Sequence, residues 1–184
     1  MLLINLLKQR RSVRNFLDKP IEREKIMMCL EAARLAPSAS NSQPWNFLVV
    51  DDLGVRDRLC KGAFNGPYLI NLFCKKAPVI LVVISEQSKF LTRIAAVFRG
   101  TQFYLLDIGI AVEHFVLQAE ELGLGTCWIG WFNEKAVKNT LSIPESKKVD
   151  VLVAVGYRDT SKPLNERKRE KLEDIIAFNN YKTR

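Results

Sequence analysis

The sequence contains a single histidine, His114, among its 184 residues. A Ser-His-Asp or Cys-His mechanism would depend on that one imidazole, which lies in the middle of a long apolar segment. The sequence also lacks an H-E-x-x-H motif, an EF-hand loop, a P-loop and a glycosidase-like pair of acids. An enzyme with this sequence therefore needs a bound cofactor to supply the reactive group.

Cysteine is sparse, and its spacing predicts neither a zinc site nor a disulfide framework, because no C-x-x-C pair is present. Three of the four cysteines lie in apolar runs, where a reduced thiol behaves as a small buried hydrophobe. Reduced cysteines predict a cytoplasmic protein. The four are Cys29, Cys60, Cys74 and Cys127.

The formal net charge is +8, and the excess positive charge lies near the two ends of the chain. The clusters are Arg10-Arg11-Ser12-Val13-Arg14 and Arg167-Lys168-Arg169. A nucleic-acid-binding protein more often spreads basic residues and exposed aromatics along one face. Two short clusters suit one or two phosphate groups, which guanidinium forks and a hydroxyl bind well. A solvated basic turn is the alternative for the first cluster.

Residues 36–45 form a loop without any charged residue. The loop supplies hydroxyls, the amides of Asn41 and Gln43, two prolines that fix φ, and the indole of Trp45. Such a loop predicts a preorganised polar surface for a flat, hydrogen-bonding heterocycle. From the loop alone, a capped helix end followed by an ordinary turn is the alternative.

Hydrophobic periodicity predicts one domain, residues 1–184, that contains both helices and strands. Helices are predicted at residues 2–9, 21–34, 55–61, 101–122 and 133–141. Strands are predicted at residues 46–50, 79–84, 126–131 and 149–157. The β-branched run at 79–84 is typical of a central strand that is buried on both faces. Residues 62–73 and 85–100 have no pattern that we could interpret.

Residues 101–122 predict the longest helix, about 33 Å at 1.5 Å per residue. Asp107, His114 and Glu121 recur every seven residues and form a narrow polar stripe, while apolar residues cover the remaining surface. The ionisable residues argue against a membrane span. A helix that is apolar over so much of its surface lies in the core of a large protein or in an interface, and this chain length favours a dimer interface.

The pair Gly123 and Gly125 could be mistaken for a dinucleotide-binding turn. Trp128 occupies the third glycine position, however, and the pattern follows a helix instead of a strand, so a Rossmann motif is excluded. The predicted strand that follows carries bulky aromatics and Gly130, where a ligand could approach the backbone closely. The basic clusters, the polar loop and this strand together suit a phosphorylated aromatic cofactor.

Four motifs, in this order, strongly resemble the nitroreductase family of FMN-dependent oxidoreductases. They are Arg-Arg-Ser-Val-Arg-Asn-Phe from residue 10, Ala-Pro-Ser-Ala-Ser-Asn-Ser-Gln-Pro-Trp from residue 36, Glu-Leu-Gly-Leu-Gly-Thr-Cys-Trp-Ile-Gly from residue 121, and Arg-Lys-Arg-Glu-Lys-Leu-Glu from residue 167. The resemblance spans nearly the whole chain. It implies an α+β fold with a mixed, mainly antiparallel sheet flanked by helices, and an intertwined homodimer with two FMN sites at its interface.

The resemblance also implies roles for individual residues. The phosphate and ribityl chain of FMN would be held by Arg10, Arg11, Ser12 and Arg14, with Arg167 and Arg169 from the tail. The flavin would be contacted from the other subunit by Pro37, Ser38, Ala39 and Asn41, with Gln43 supporting the loop. The edge of the isoalloxazine near N5 would lie beside Ile129, Gly130 and Trp131. The tail departs from the common family pattern at Arg158 and at Glu170-Lys171, which affects its path.

The activity that the resemblance implies is hydride transfer from NADH or NADPH through flavin N5 to a small electron-poor acceptor, a nitroaromatic or a quinone, with ping-pong kinetics. No protein side chain is named as catalytic, and no metal, nucleic acid or membrane is expected to take part. Dehalogenation, enone reduction or flavin destruction on the same scaffold stay open, as does a non-catalytic FMN-binding protein. A colourless nucleic-acid-binding protein is the remaining alternative.

Overall fold

The computed structural model describes residues 2–86, 100–163 and 167–181. The helices are α1 Leu3–Gln9, α2 Arg23–Arg34, α3 Leu53–Ala63, α4 Phe103–Glu121, α5 Glu134–Leu141 and the single turn α6 Leu172–Ile175. The strands are β1 Trp45–Val50, β2 Val79–Ser85, β3 Gly125–Ile129 and β4 Lys148–Gly156. Two 3₁₀ segments lie at Ala39–Asn41 and Gly66–Lys76.

The four strands form one sheet in the order β1-β2-β4-β3, and each neighbouring pair is antiparallel. β2 lies in the interior of the sheet, as its β-branched sequence predicts. A single parallel bridge joins Ser12 to Thr126 on the outer side of β3. The expected α+β arrangement, with a mainly antiparallel sheet between helices, is confirmed.

Helices cover both faces of the sheet because side chains of the interior strands alternate between two cores. Leu81 and Val83 pack with α2 and α4, whereas Ile80 and Val82 pack with α3, α5 and the segment Gly66–Lys76. Asn133 caps α5 as predicted, since its side chain accepts the backbone N–H of Ala136 at 3.1 Å. The long helix α4 lies under the sheet and reaches the polar loop.

The structure corrects the extent of one predicted strand and describes a stretch for which no structure was predicted from the sequence. β3 pairs with β4 only as far as Ile129 and Leu152, so Gly130 and Trp131 lie beyond the strand end. Residues 62–73, which had no interpretable pattern, form the end of α3 and much of a 3₁₀ segment. Of the other uninterpreted stretch, residues 87–99 lie outside the described residues. Among the helices that are described, none is long and apolar enough to cross a membrane.

Candidate active site

The first basic cluster follows α1 and runs alongside the edge strand β3. The backbone N–H of Val13 donates to the carbonyl oxygen of Thr126 at 2.8 Å, and Ser12 forms the parallel bridge to the same residue. The side chain of Val13 is buried against Gly125, where an added Cβ would lie 2.7 Å from Val13 Cγ2. Glycine is therefore required for this close approach. Because Val13 points inward, its neighbours on either side are exposed.

The second basic cluster is fastened to the first through Arg167. Its guanidinium Nη1 donates to the carbonyl oxygens of Leu7 and Arg10, each at 3.0 Å. These oxygens lie at the end of α1, where carbonyls lack intrahelical partners. Burial, followed by the charges of Arg169, Arg10 and Arg11, lowers the pKa of Arg167. Arg10, Arg11, Arg167 and Arg169 thus lie close enough at the end of α1 to influence one another electrostatically.

Two carboxylates on α4, those of Glu113 and Glu120, interact with Arg10 of this cluster. Glu113 Oε1 lies 3.8 Å from Arg10 Nε.

Burial raises the pKa of the Cys127 thiol in β3, and the charges of Arg14 and Arg10 oppose that rise. The positive charge of the first cluster therefore reaches the edge of the sheet, where a polyanionic group would be stabilised.

The polar loop is held in an unusual backbone conformation. Ser40, Asn41 and Gln43 have positive φ values of 52°, 50° and 47°, although none of them is glycine. The backbone N–H of Gln43 donates to Ser38 Oγ at 2.9 Å, and its side-chain amide donates to Asn41 Oδ1 at 3.0 Å. Gln43 thus forms hydrogen bonds with two other residues of the loop.

Asp107 in α4 fastens the loop to the body of the protein. Its Oδ1 accepts the backbone N–H of Ala39 at 2.9 Å, and its Oδ2 accepts from Ser42 Oγ at 3.4 Å. Further along the same face, His114 Nδ1 lies 3.3 Å from the carbonyl oxygen of Ala32 in α2. The predicted polar stripe therefore packs against the loop and α2 along part of its length. The heptad spacing identified Asp107 but did not indicate its partners.

The turn after β3 packs against the 3₁₀ segment. Trp131 Nε1 donates to the carbonyl oxygen of Pro67 at 3.2 Å, and Asn71 Nδ2 donates to the carbonyl oxygen of Trp131 at 2.7 Å. The ring centroids of Tyr68 and Trp131 are 5.4 Å apart. The indole is 59% exposed, and an added Cβ on Gly130 would meet open space. This turn therefore offers an accessible backbone beside an aromatic surface.

The 3₁₀ segment also contacts the first basic cluster, because the guanidinium of Arg14 lies 5.9 Å from the ring centroid of Phe73. Arg14 and the Gly130–Trp131 turn therefore border the same segment. Sequence reasoning did not identify Tyr68, Asn71 or Phe73, since they lie in a stretch without clear periodicity.

The described residues supply no reactive group of their own at this site. All four cysteines are free and buried, and burial raises the pKa of Cys29 to about 12 and that of Cys60 to about 11. Within residues 2–86, 100–163 and 167–181, no cluster of His, Cys, Asp and Glu could hold a metal ion. The arrangement can bind and orient a ligand.

The sequence profile of the Nitroreductase family matches residues 7–67 and 60–157. A protein of Archaeoglobus fulgidus with the provisional name NADH dehydrogenase/NAD(P)H nitroreductase is 31% identical over 167 residues, 89% of each chain. An iodotyrosine deiodinase of Thermotoga neapolitana is 27% identical and covers 98% of this chain and 99% of its own length. An FMN-dependent nitroreductase of Clostridium difficile R20291 has a similar structure, with TM-score 0.74, 31% identity and coverage of 97% and 99%.

The helix-flanked antiparallel sheet, with its basic edge and its polar loop, defines an α+β protein of the same fold as the Clostridium difficile structure. The chain belongs to the Nitroreductase family. The resemblance that its four motifs indicate is thus confirmed, and so is the expectation that it is an oxidoreductase enzyme.

Proposed function

We propose that this protein is an FMN-dependent NAD(P)H oxidoreductase that reduces small electron-poor acceptors, nitroaromatics or quinones. The observation that carries the proposal is the convergence of Arg10, Arg11, Arg167 and Arg169 at the end of α1. Such a concentration of positive charge is costly unless an anion is bound there, and the phosphate of FMN fits it. The similar Clostridium difficile protein is named as FMN-dependent.

The residues present fit the whole cofactor. The phosphate and ribityl chain would be held by Arg10, Arg11, Ser12, Arg14, Arg167 and Arg169. The ring system would be bordered by Ile129, Gly130 and Trp131, and contacted from the partner subunit by Pro37, Ser38, Ala39 and Asn41, with Gln43 supporting the loop. Gly130 suits this role because its backbone is accessible, and Trp131 because its exposed indole can pack beside a planar ligand.

The cofactor would supply the chemistry, since flavin N5 accepts a hydride from NADH or NADPH and returns it to an acceptor. The protein would bind and orient the cofactor and shield it from water. The reductant and the acceptor would use the same exposed space beside Trp131 in turn, and this sharing is the basis for expecting ping-pong kinetics. The arginines would stabilise negative charge on the cofactor without any proton transfer.

We also propose a homodimer. On the outer side of α4, Leu106 is 56% exposed and Leu105 and Ile110 are exposed as well, which is unusual for neighbouring apolar side chains on a helix. The tail carries further exposed apolar residues, namely Leu172, Ile175, Ile176, Phe178 and Tyr181. A second copy of the chain would cover both surfaces. A cytoplasmic location is proposed because the four cysteines are free.

A second candidate chemistry is reductive dehalogenation on the same scaffold. It is supported by the iodotyrosine deiodinase of Thermotoga neapolitana, which covers nearly the whole chain. The acceptor would then be a halogenated phenol, and the same FMN site would serve.

The test is a set of initial-rate measurements with NADH or NADPH at several fixed concentrations of a quinone, of nitrobenzene and of iodotyrosine. Parallel double-reciprocal lines with the quinone or nitrobenzene would support the proposal. Turnover confined to iodotyrosine, with iodide release, would favour dehalogenation. Intersecting lines would contradict the shared site, and no turnover by the FMN-loaded protein with any of them would overturn the proposed activity.

A further inference from the structure

The polar loop has a conformation that its own sequence does not favour. Three non-glycine residues, Ser40, Asn41 and Gln43, adopt left-handed backbone geometry within four positions. Conformations of this kind persist only when the surroundings enforce them, and they are concentrated at functional sites. The hydrogen bonds between Gln43 and the loop are local, so they do not fix the loop relative to the rest of the protein.

Asp107 provides the long-range restraint. Its two carboxylate oxygens take one hydrogen bond from each side of the 3₁₀ turn, Oδ1 from the backbone N–H of Ala39 and Oδ2 from the hydroxyl of Ser42. The side chain is only 4% exposed, so these bonds are shielded from water. Hydrogen bonds that an ionised carboxylate accepts are also stronger than neutral ones.

Because Asp107 lies on α4, it also connects the polar loop to the helix of the proposed dimer interface. Leu106, the adjacent residue, belongs to the exposed apolar surface for which we propose a dimer interface. The loop is therefore attached to the same rigid helix that would pack against the partner subunit. A loop that contacts the partner's cofactor needs such an attachment, because its distance from that cofactor depends on how the helix is placed.

We infer that Asp107 is a positioning residue, which holds the loop 38–42 in the conformation and at the place that FMN binding across the dimer requires. This inference rests on the proposed function. Asp107 acts through the loop and has no contact of its own with the cofactor. Its removal would loosen the loop and weaken FMN binding, with little effect on the arginines that hold the phosphate.

The experiment compares three substitutions in the full chain. Asp107→Leu removes both acceptors, and Ser42→Ala removes one hydrogen bond at the edge of the site, where folding is little affected. Asp107→Asn keeps an oxygen for the N–H of Ala39, and its amide can donate to the Ser42 hydroxyl. Asp52→Ala is the control, because Asp52 Oδ1 also accepts a backbone N–H, that of Val55 at 2.8 Å, but caps α3 away from the loop.

The readouts are the Kd for FMN, measured by quenching of flavin fluorescence on addition to apoprotein, and the Tm of each apoprotein. We expect Asp107→Leu to raise the Kd by about tenfold or more, the size associated with loss of a charge-assisted hydrogen bond. Ser42→Ala should raise it by about threefold and should add little in the Asp107→Leu background. Asp107→Asn should restore most of the affinity, and Asp52→Ala should lower Tm without changing the Kd.

The outcomes separate this inference from the proposed function. A wild-type protein that does not bind FMN would overturn both. If the wild type binds FMN and Ser42→Ala and Asp107→Leu bind it with unchanged Kd, the positioning role is wrong and the proposed function stands. An equal rise in Kd for Asp52→Ala and Asp107→Leu at equal loss of Tm would also overturn the positioning role, because the effect would then follow stability alone.

Discussion

The guanidinium of Arg167 donates to the carbonyl oxygen of Arg10 at 3.0 Å, which joins the tail of the chain to the end of its first helix. The same nitrogen donates to the carbonyl oxygen of Leu7. The bond therefore satisfies helix-end carbonyls and at the same time brings two basic clusters together. The position of the tail beside the end of α1 depends on this contact.

Replacement of Arg167 should weaken FMN binding more than a simple loss of charge would. Arg167→Gln removes one positive charge and the bonds to the end of α1, so we expect the Kd for FMN to rise by about tenfold or more. Lys168→Gln is the matched control, since it removes the same charge from an exposed neighbour. Riboflavin, which lacks the phosphate, should bind the wild type and Arg167→Gln with similar affinity. An equal rise in the Kd for FMN in Arg167→Gln and Lys168→Gln would show that the bonds of Arg167 to the end of α1 do not contribute to FMN binding.

Gly125 should not tolerate a larger residue. Gly125→Ala places a Cβ 2.7 Å from Val13 Cγ2, so the segment that carries the first basic cluster must move. We expect a loss of about 1–3 kcal/mol in the free energy of unfolding, together with weaker FMN binding. The double variant Gly125→Ala/Val13→Gly removes every Val13 side-chain atom near the added Cβ, including Val13 Cβ at 2.9 Å, and should recover much of the FMN affinity. As a control, Gly54→Ala in α3 should leave FMN binding unchanged. Lack of recovery in the double variant would count against the steric explanation.

The exposed surface of α4 should be required for dimerisation. Ile110→Glu puts a charge among exposed apolar side chains of that helix, and we expect the protein to elute as a monomer in size-exclusion chromatography with light scattering. Loss of the dimer should also release FMN, because the loop of one subunit would no longer reach the FMN site of the other. Leu53→Glu, at an exposed leucine of α3, should remain dimeric. A wild type that is monomeric with bound FMN would refute the proposed interface.

Glu22 should make stability depend on acidic pH. The Tyr157 hydroxyl donates to its carboxylate, and this bond, assisted by the charge of Lys25, lowers the pKa of Glu22 from 4.5 to about 2. A lowered pKa in the folded state stabilises the protein above pH 4.5, and that stabilisation is lost as the pH falls from 4.5 towards about 2. The difference in unfolding free energy between wild type and Glu22→Gln should therefore be constant above about pH 5 and shrink below it.

Denaturant titrations at a series of pH values would measure this difference. Glu24→Gln, in the first turn of the helix that Glu22 precedes, is the control for a general effect of charge, and we expect its curve to stay close to that of the wild type. Suppose the difference in unfolding free energy between wild type and Glu22→Gln does not change between about pH 6 and about pH 3. The hydrogen bond to Tyr157 would then not lower the pKa of Glu22.

The sequence predicts the fold well where one physical pattern dominates. The β-branched run of β2 is typical of an interior strand, and the structure buries it on both faces. Asn133 is typical of a helix N-cap, and it caps α5. The segment Gly66–Lys76 was not predicted, because a 3₁₀ segment lacks the period of an α-helix and is held by distant residues such as Trp131.

The candidate site is also predictable only in part, because its geometry depends on contacts between residues that are distant in the sequence. The arginines and the polar loop are visible as unusual composition, but the partners that position them are far away in sequence. Nothing local indicates that Asp107 accepts the N–H of Ala39, or that Arg167 donates to Leu7. The left-handed geometry of Ser40 and Gln43 is also unexpected from residue type, since glycine and asparagine are the usual residues there.

The most direct test of the proposed FMN site is the absorption spectrum of the purified protein, followed by heat release and identification of any bound chromophore. We expect the bands of an oxidised flavin, identified after release as FMN, with one FMN per chain. A colourless protein that also fails to take up added FMN would contradict the assignment of the basic clusters and the polar loop. Binding of riboflavin with the same affinity as FMN would contradict the role of the four arginines.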